Sequence, residues 1–348
     1  MSGGVPAGIQ ALLWEPWHGG PAVRCRLCSH FCRVLPGERG LCGVRENRDG
    51  VLYALTYGYA VAAAVDPIEK KPLFHFLPGT LSFSIATVGC NLKCAFCQNA
   101  DISQMPADAG EIRGSALSPG EVVERALATG CRSIAYTYTE PTVFLEYALA
   151  CAAEASDYGL KNVFVTNGFM TPQALGLMGP HLHAANVDLK SFDDDFYRRF
   201  TGARLAPVLD SIRLMVEMGV WLEVTTLLIP GLNDSENELR ALAAFLAGIH
   251  PDIPWHVSRF HPSHRMLDRP TTPASTVERA VRFGGEEGLR FIYAGNLPGS
   301  AHESTRCPSC EETVIERRGF RVERIRLTAQ HCSTCGGSIP GVFERRSA

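Results

Sequence analysis

The chain has 348 residues, of which 46% are apolar and 20% charged, enough to bury one large α/β core with smaller modules beside it. That composition excludes a disordered chain, and a formal charge of −3 argues against a surface organised around nucleic acid. No apolar run approaches the roughly 18 residues that span a bilayer, and Met1-Ser2-Gly3-Gly4-Val5 lacks the basic and apolar regions of a signal peptide, so a cytoplasmic protein without membrane contact is expected.

In chain order, Ile9, Leu12, Leu13 and Trp14 predict a short amphipathic helix near 9–14. Cys25, Cys28, Cys32 and Cys42 follow, with Gly37, Gly40 and Gly43 permitting tight metal-knuckle turns. His30 is a substitute ligand or a polar surface residue. Val51, Tyr53, Leu55, Tyr57 and Tyr59 alternate as in a strand. A polar-aromatic loop runs from Asp66 to Phe76. Of the five lysines, Lys70, Lys71, Lys93 and Lys190 fall in motif-bearing stretches, which hints at anion handling.

Ser82–Ala86 is strand-like and empties through Gly89 into a loop with Cys90, Cys94 and Cys97. Beyond it strand and helix patterns alternate. Helices are expected over 120–129, 144–155, 172–178, 207–218, 235–247 and 274–283, and strands over 133–138, 162–165, 184–189, 221–229, 255–260 and 290–293. Ser118-Pro119 opens the first helix, and Ser235-x-x-Glu238 reads as a capping box. Six or more such units predict a partial or full parallel (β/α) barrel, with a doubly wound open sheet as the competing topology. Cys90 to Cys97, Glu140, Asn167, Asp188, Lys190 and His261 sit at or just after strand ends, which a parallel barrel gathers on one face.

Eleven of the thirteen cysteines lie in three clusters, the third being Cys307, Cys310, Cys332 and Cys335. In a reducing cytosol such clusters read as metal ligands, while Cys131 and Cys151 read as packing thiols. The two terminal C-x2-C pairs, 21 residues apart, predict a zinc ribbon, or a rubredoxin-like iron site, around a hairpin turning at Arg318-Gly319. The first cluster fits structural zinc or an auxiliary iron–sulfur cluster. Three local thiols at Cys90, Cys94 and Cys97 suit a [4Fe–4S] cluster with one iron left open to another ligand. The expected modules are 1–78, a four-cysteine segment with a strand; 79–298, the core barrel; and 299–348, the second four-cysteine module.

The C-x3-C-x2-C loop resembles the signature of the radical S-adenosylmethionine (SAM) superfamily. Across nearly the full length the chain resembles the radical SAM enzymes of the AmmeMemoRadiSam system, relatives of the pyruvate-formate-lyase activating enzymes. The resemblance is carried by Cys25-x-x-Cys28-x-His-x-Cys32, Gly40-x-Cys42-Gly43-Val44-Arg45-x-Asn47, Asp66 to His75, Tyr136 to Thr142, Asn186 to Lys190, Trp221 to Asp234, Trp255 to Pro262, the terminal cysteine pairs and Ile339 to Val342. It implies that Cys90, Cys94 and Cys97 hold a [4Fe–4S] cluster whose open iron binds SAM. Reductive cleavage then gives methionine and a 5′-deoxyadenosyl radical that abstracts hydrogen from substrate.

The resemblance also distributes roles. Tyr138-Thr139-Glu140-Pro141 stands where relatives have a Gly-Gly-Glu-Pro segment gripping the SAM ammonium, with both glycines replaced. Phe96 would offer backbone contacts to adenine. Thr166-Asn167-Gly168 is similar to an Asp-Thr-Asn-Gly segment, with Val165 in place of the cation-binding Asp. Asp188 and Lys190 match a segment near ribose and carboxylate, and His261 a histidine near SAM. A small-molecule or peptide substrate, a flavodoxin- or ferredoxin-like electron donor, and Memo-type and AMMECR-type partners are implied. Glycyl-radical-enzyme activation and a non-enzymatic zinc- or iron-binding scaffold are the alternatives.

Overall fold

A computed structural model describes residues 7–344. Its centre is one eight-stranded sheet: β1 (Ala62–Pro67), β2 (Leu81–Ala86), β3 (Ser133–Tyr136), β4 (Lys161–Thr166), β5 (Ala184–Asp188), β6 (Trp221–Leu228), β7 (Trp255–Arg259) and β8 (Ile292–Gly295). Spatial order follows chain order throughout. β1 runs antiparallel to β2, and every later pairing is parallel.

That order decides between the two expected topologies. A doubly wound sheet reverses its strand order and so puts helices on both faces, whereas strands laid down in sequence with right-handed crossovers put every helix on one face. The sheet therefore curls into a partial barrel. Among the described residues no ladder joins β8 to β1, so the barrel stays open on that side. β1 also comes from within the segment expected to form the N-terminal module.

The outer layer contains α1 (Pro119–Ala128), α2 (Leu145–Asp157), α3 (Pro172–Met178), α4 (Ala206–Glu217), α5 (Glu236–Ile249) and α6 (Ala274–Glu286). Each presents an apolar stripe to the sheet, as with Val122, Val123 and Ala126 on α1. Ser118 forms a reciprocal capping box with Glu121. The box expected at Ser235 is only half made. Ser235 Oγ accepts from the Glu238 amide, but the Glu238 carboxylate is taken by Ser191 Oγ and the Phe192 amide. No helix among the described residues is long and apolar enough to cross a membrane.

The helix expected near 9–14 is absent. Ile9–Gln10 pairs with Tyr53–Ala54, and Trp14–Pro16 pairs with Val23–Cys25. Six residues cannot repay helix nucleation when antiparallel partners stand ready on both sides. The strand expected from Val51 to Tyr59 is broken after Ala54 by a turn with Gly58 at φ +68°, and Tyr59–Ala60 pairs elsewhere, with Ser115–Ala116.

Residues 68–77 fold back into the base of the barrel. Ile68, Leu73, Phe76 and Leu77 pack there against Ala135, Val163 and Ala184. The C-terminal module seals the same end. Its hairpin, Thr313–Arg318 with Arg321–Ile325, turns at Gly319 and Phe320 as expected, and its tail bridges Val342 to Phe76.

Candidate active site

Above the base lies a cavity of about 570 Å³ at the strand ends, within the range of about 300–1,000 Å³ typical of small-molecule sites. Cys90, Cys94, Cys97, Phe96, Glu140, Thr166, Asn167, Asp188 and Lys190 all line it. These are the residues the sequence placed at strand ends, and the barrel brings them together. His261 is the exception. It is exposed and outside the lining, while its neighbours clamp the cysteine loop from behind: Ser263 Oγ donates to the Phe96 carbonyl at 3.1 Å, and the Arg265 amide to Ala95 at 2.9 Å.

The loop itself is pinned by backbone contacts. Lys93 and Ala95 donate to the carbonyls of Thr201 and Phe200 at 2.7 and 2.8 Å. Gly89 sits at φ +101°, and a Cβ there would lie 2.7 Å from Val44 and 3.0 Å from the Cys42 carbonyl, so only glycine fits. Burial pushes the Cys94 thiol up to about 12 and raises Cys90 well above the ordinary range, with the Glu140 carboxylate adding to the second effect. Such thiols are inert as free nucleophiles and ionise only on meeting a metal.

Glu140 is 2% exposed. Its Oε1 accepts from the Thr142 amide and hydroxyl and from Thr166 Oγ1 at 3.0, 2.6 and 2.7 Å, and Oε2 accepts from the Asn167 amide at 2.8 Å. Burial nevertheless holds the carboxyl above its usual range. The protein thus fixes the carboxylate rigidly and leaves Oε2 with one spare lone pair, which suits a buried cationic ligand. Asn167 Nδ2 reaches Asn91 Oδ1 at 2.8 Å and Cys90 Sγ at 3.7 Å, tying β4 to the thiol loop.

The glycines replaced at 138 and 139 find a partial substitute. Tyr138 adopts φ +65°, the left-handed conformation that glycine takes at no cost. Its hydroxyl donates to Asp66, and its carbonyl accepts from Asn99 Nδ2 at 2.7 Å. Asp66 also accepts from Lys70 and Lys71 at 2.8 and 2.7 Å; burial opposes its ionisation, but the two ammoniums and the phenol hold it well below the usual carboxylate range. Lys71 is 1% exposed and lies 4.5 Å above the Tyr138 ring; burial lowers it to about 8 despite Asp66. Lys70, Lys71 and Lys190 all line the cavity, in keeping with the lysine placement read from the sequence, whereas Lys93 does not. Burial opposes the charge on Lys190, but Asp188 at 3.1 Å outweighs it and keeps the ammonium charged.

A second polar group lies deeper and was not singled out from the sequence. Glu223 on β6 accepts from the Phe74 and His75 amides at 2.9 and 2.7 Å and bonds His256 Nε2 at 2.7 Å. His256 lines the cavity, so β7 contributes this histidine where His261 was expected. His75 Nδ1 lies 2.7 Å from the Pro340 carbonyl and must donate, so Nε2 accepts from Tyr293 at 2.6 Å. Tyr293 then accepts from Thr305, and Thr305 from Arg317, both at 2.8 Å.

The chain's other thiols divide by geometry. Cys307 to Cys335 and Cys310 to Cys332 are 3.6 and 3.8 Å apart, and the four ligating sulfurs lie within 4.8 Å of one another. A sulfur tetrahedron around zinc at 2.3 Å has edges of about 3.8 Å. Cys25, Cys28, Cys32 and Cys42 line one small cavity without gathering so closely. Cys131 and Cys151 are buried, as packing thiols should be.

The Radical SAM superfamily model matches residues 84–243, which begin in β2 and run through the thiol loop, β3 to β6 and most of α5. An uncharacterized protein of Methanocaldococcus jannaschii is 42% identical over 320 residues, 91% of this chain and 95% of that one. The chain belongs to the radical SAM superfamily. A radical SAM protein binds a [4Fe–4S] cluster and SAM, and the three thiols and the polar cavity beside them fit that pair. The isethionate sulfite-lyase activating enzyme of Desulfovibrio desulfuricans is 26% identical, covering 70% of this chain and 80% of that enzyme. The pyruvate formate-lyase-activating enzyme of Clostridium pasteurianum is 23% identical over 46% of this chain and 67% of its own. A radical SAM methyltransferase from Sphaerobacter thermophilus shares the fold at a TM-score of 0.50 and 17% identity, over 63% of this chain and 67% of that one.

Proposed function

We propose that this radical SAM protein cleaves SAM reductively and uses the resulting 5′-deoxyadenosyl radical to abstract hydrogen from a small-molecule or peptide substrate. The observation that carries the reading is the convergence of Cys90, Cys94, Cys97 and Glu140 on one cavity at the strand ends. When bound, the cluster supplies one electron to the SAM sulfonium, whose cleavage yields the radical. Cys90, Cys94 and Cys97 hold the cluster. Glu140 receives the SAM ammonium on its spare lone pair, with Thr166 and Asn167 fixing the carboxylate. Asp188 and Lys190 would hold ribose and carboxylate, and Phe96 would offer backbone contacts to adenine. Lys70 and Lys71 bind an anionic group of the substrate, and the plugged base keeps water from the radical.

The assignment extends to the AmmeMemoRadiSam system, with a flavodoxin- or ferredoxin-like donor and Memo-type and AMMECR-type partners in the cytoplasm, because the flanking cysteine modules accompany the core loop. The four-cysteine modules within 1–78 and 299–348 flank a core that draws its first strand, β1, from the first of them, and the sulfur spacing of the last supports zinc there. Activation of a glycyl-radical enzyme is the second reading, favoured by the names of the activating-enzyme relatives. Anaerobic reconstitution with iron, sulfide and a strong reductant tests the chemistry: 5′-deoxyadenosine should form from SAM, and its absence refutes the enzyme reading. Deuterium carried into 5′-deoxyadenosine from labelled candidates then identifies the substrate.

A further inference from the structure

The residues that would hold the cluster and SAM account for only part of the cavity wall. Lys70, Lys71 and Phe74 also line it, with Thr225 on β6 and His256 on β7. Residues 70–74 cross the floor of the barrel, and tertiary contacts fix the crossing. At one end Lys71 lies over the Tyr138 ring and bonds Asp66. In the middle the Pro72 carbonyl accepts from Asn186 Nδ2 at 2.8 Å. At the other end the Phe74 ring meets His256 edge-on, with centroids 4.7 Å apart. Three residues of chain span at most about 11 Å, so the two ends of this floor lie about a small molecule's length apart.

His256 is 3% exposed, with its ring flanked by Phe74 and Tyr293. Its partner Glu223 accepts four bonds. Oε1 takes the His75 amide and Trp221 Nε1 at 2.7 and 3.1 Å, and Oε2 takes the Phe74 amide and His256 Nε2 at 2.9 and 2.7 Å. Burial opposes the charge on Glu223, but His256 and the amide donors hold its carboxyl below the usual range. A carboxylate only accepts, so Nε2 carries the imidazole hydrogen, and Nδ1 of the neutral ring is an acceptor. Among the described residues none bonds Nδ1, which is not closed off from the cavity the ring lines. Packing accounts for the ring and for Nε2; it leaves Nδ1 for a donor that enters the cavity. Thr225 repeats the pattern, since its hydroxyl donates to Asn186 Oδ1 at 2.8 Å and its oxygen keeps only lone pairs to offer.

At the opposite end Lys70 and Lys71 share one carboxylate, Asp66, at 2.8 and 2.7 Å, which leaves a positive charge in excess. We propose that this floor is a substrate subsite for a small anion bearing hydroxyl or amino groups. Its phosphate or carboxylate rests on Lys70 and Lys71, and one of its O–H or N–H groups donates to His256 Nδ1. The subsite deepens the radical SAM reading and rests on it for its role, because the floor lies below the strand ends where SAM would bind and presents the held molecule to the radical. Acceptors at one end and ammoniums at the other select against apolar substrates and against cations.

The test uses the full chain reconstituted with its cluster and SAM, without reductant, in equilibrium dialysis against labelled compounds. Glycerol 3-phosphate is compared with inorganic phosphate, and glycerate with acetate. At least one hydroxylated anion should bind about threefold or more tightly than its bare counterpart, and which pair shows the advantage tells a phosphate from a carboxylate. His256→Gln still offers a donor to Glu223 but leaves no acceptor in the place of Nδ1. It should lose that advantage while binding the bare anion as the parent does, an outcome that a merely structural role would not give. Lys70→Met leaves Asp66 bonded to Lys71 and Tyr138, and should weaken both members of the pair about threefold or more. If His256→Gln is not folded in urea melts, Thr225→Val takes its place, and the advantage should fall about twofold or more. No advantage for either hydroxylated anion overturns the proposal, as does an advantage that survives in folded His256→Gln or anion binding unchanged in Lys70→Met, even if the parent forms 5′-deoxyadenosine on reduction. Binding that follows these expectations in a protein that forms no 5′-deoxyadenosine would sink the enzyme reading and leave the subsite standing.

Discussion

Replacing Glu140 with Gln removes one charge and almost no volume from the grip proposed for the SAM ammonium. The carboxylate now receives four protein hydrogen bonds and keeps one lone pair on Oε2. A hydrogen bond to a charged group contributes about 1.5–3 kcal/mol, so its loss should weaken SAM binding roughly 10- to 150-fold. The amide must also turn its NH2 toward the Asn167 amide or toward Thr142, orphaning a buried donor at a cost of about 1–3 kcal/mol in the unliganded protein. Burial raises this carboxyl, and only its ionised form can receive an ammonium. Parent affinity should therefore rise with pH through the carboxyl's titration and then level off, while that of Glu140→Gln stays flat. Equilibrium dialysis of the reconstituted proteins across pH, with urea denaturation as the folding control, measures both. A Kd within about threefold of the parent, with an unchanged pH profile, refutes the assignment of Glu140 to the ammonium.

Lys71 should titrate near pH 8, and with five lysines in the chain a 13C-labelled lysine spectrum resolves it; a midpoint at the ordinary value of about 10.4 would contradict its burial. His75 is lowered by burial to about 4. Its unfolded form binds protons first, so its contribution to stability is complete above about pH 6.5 and lost as pH falls toward 4, up to about 3 kcal/mol. Urea melts of His75→Gln should show a shallower acid slope, and an identical slope would refute the burial of a neutral His75. Arg317→Leu leaves Glu69 buried without its partner at 3.7 Å and should cost about 3–5 kcal/mol; a change below about 1 kcal/mol in urea melts would show that the pair is dispensable.

Most of the barrel was legible because its strands are buried runs punctuated by turn residues, and its helices carry plain apolar stripes. Strand ends also disclosed most of the cavity, since a parallel barrel puts all of them on one face. The base of the cavity was not legible. Glu223 meets His75 148 positions away, and no local pattern announces a partner at that distance. The helix expected near 9–14 failed because apolar spacing over six residues fits a strand edge as well as a helix. Tyr138 shows the opposite case: the missing glycines looked like a lost backbone conformation, yet tertiary bonds to Asp66 and Asn99 hold a tyrosine in it. His261 lies exposed and outside the cavity lining, while Ser263 and Arg265 just after it bond the thiol loop.

Phe320, at the tip of the C-terminal hairpin, lines the cavity. The appendage and the reaction chamber thus share a wall, and a metal held by the appendage would also shape that wall. Exchanging the few residues around that tip between relatives should transplant substrate preference without touching a single strand of the barrel. A truncation designed from the cysteine pattern would leave the chamber standing with one side missing.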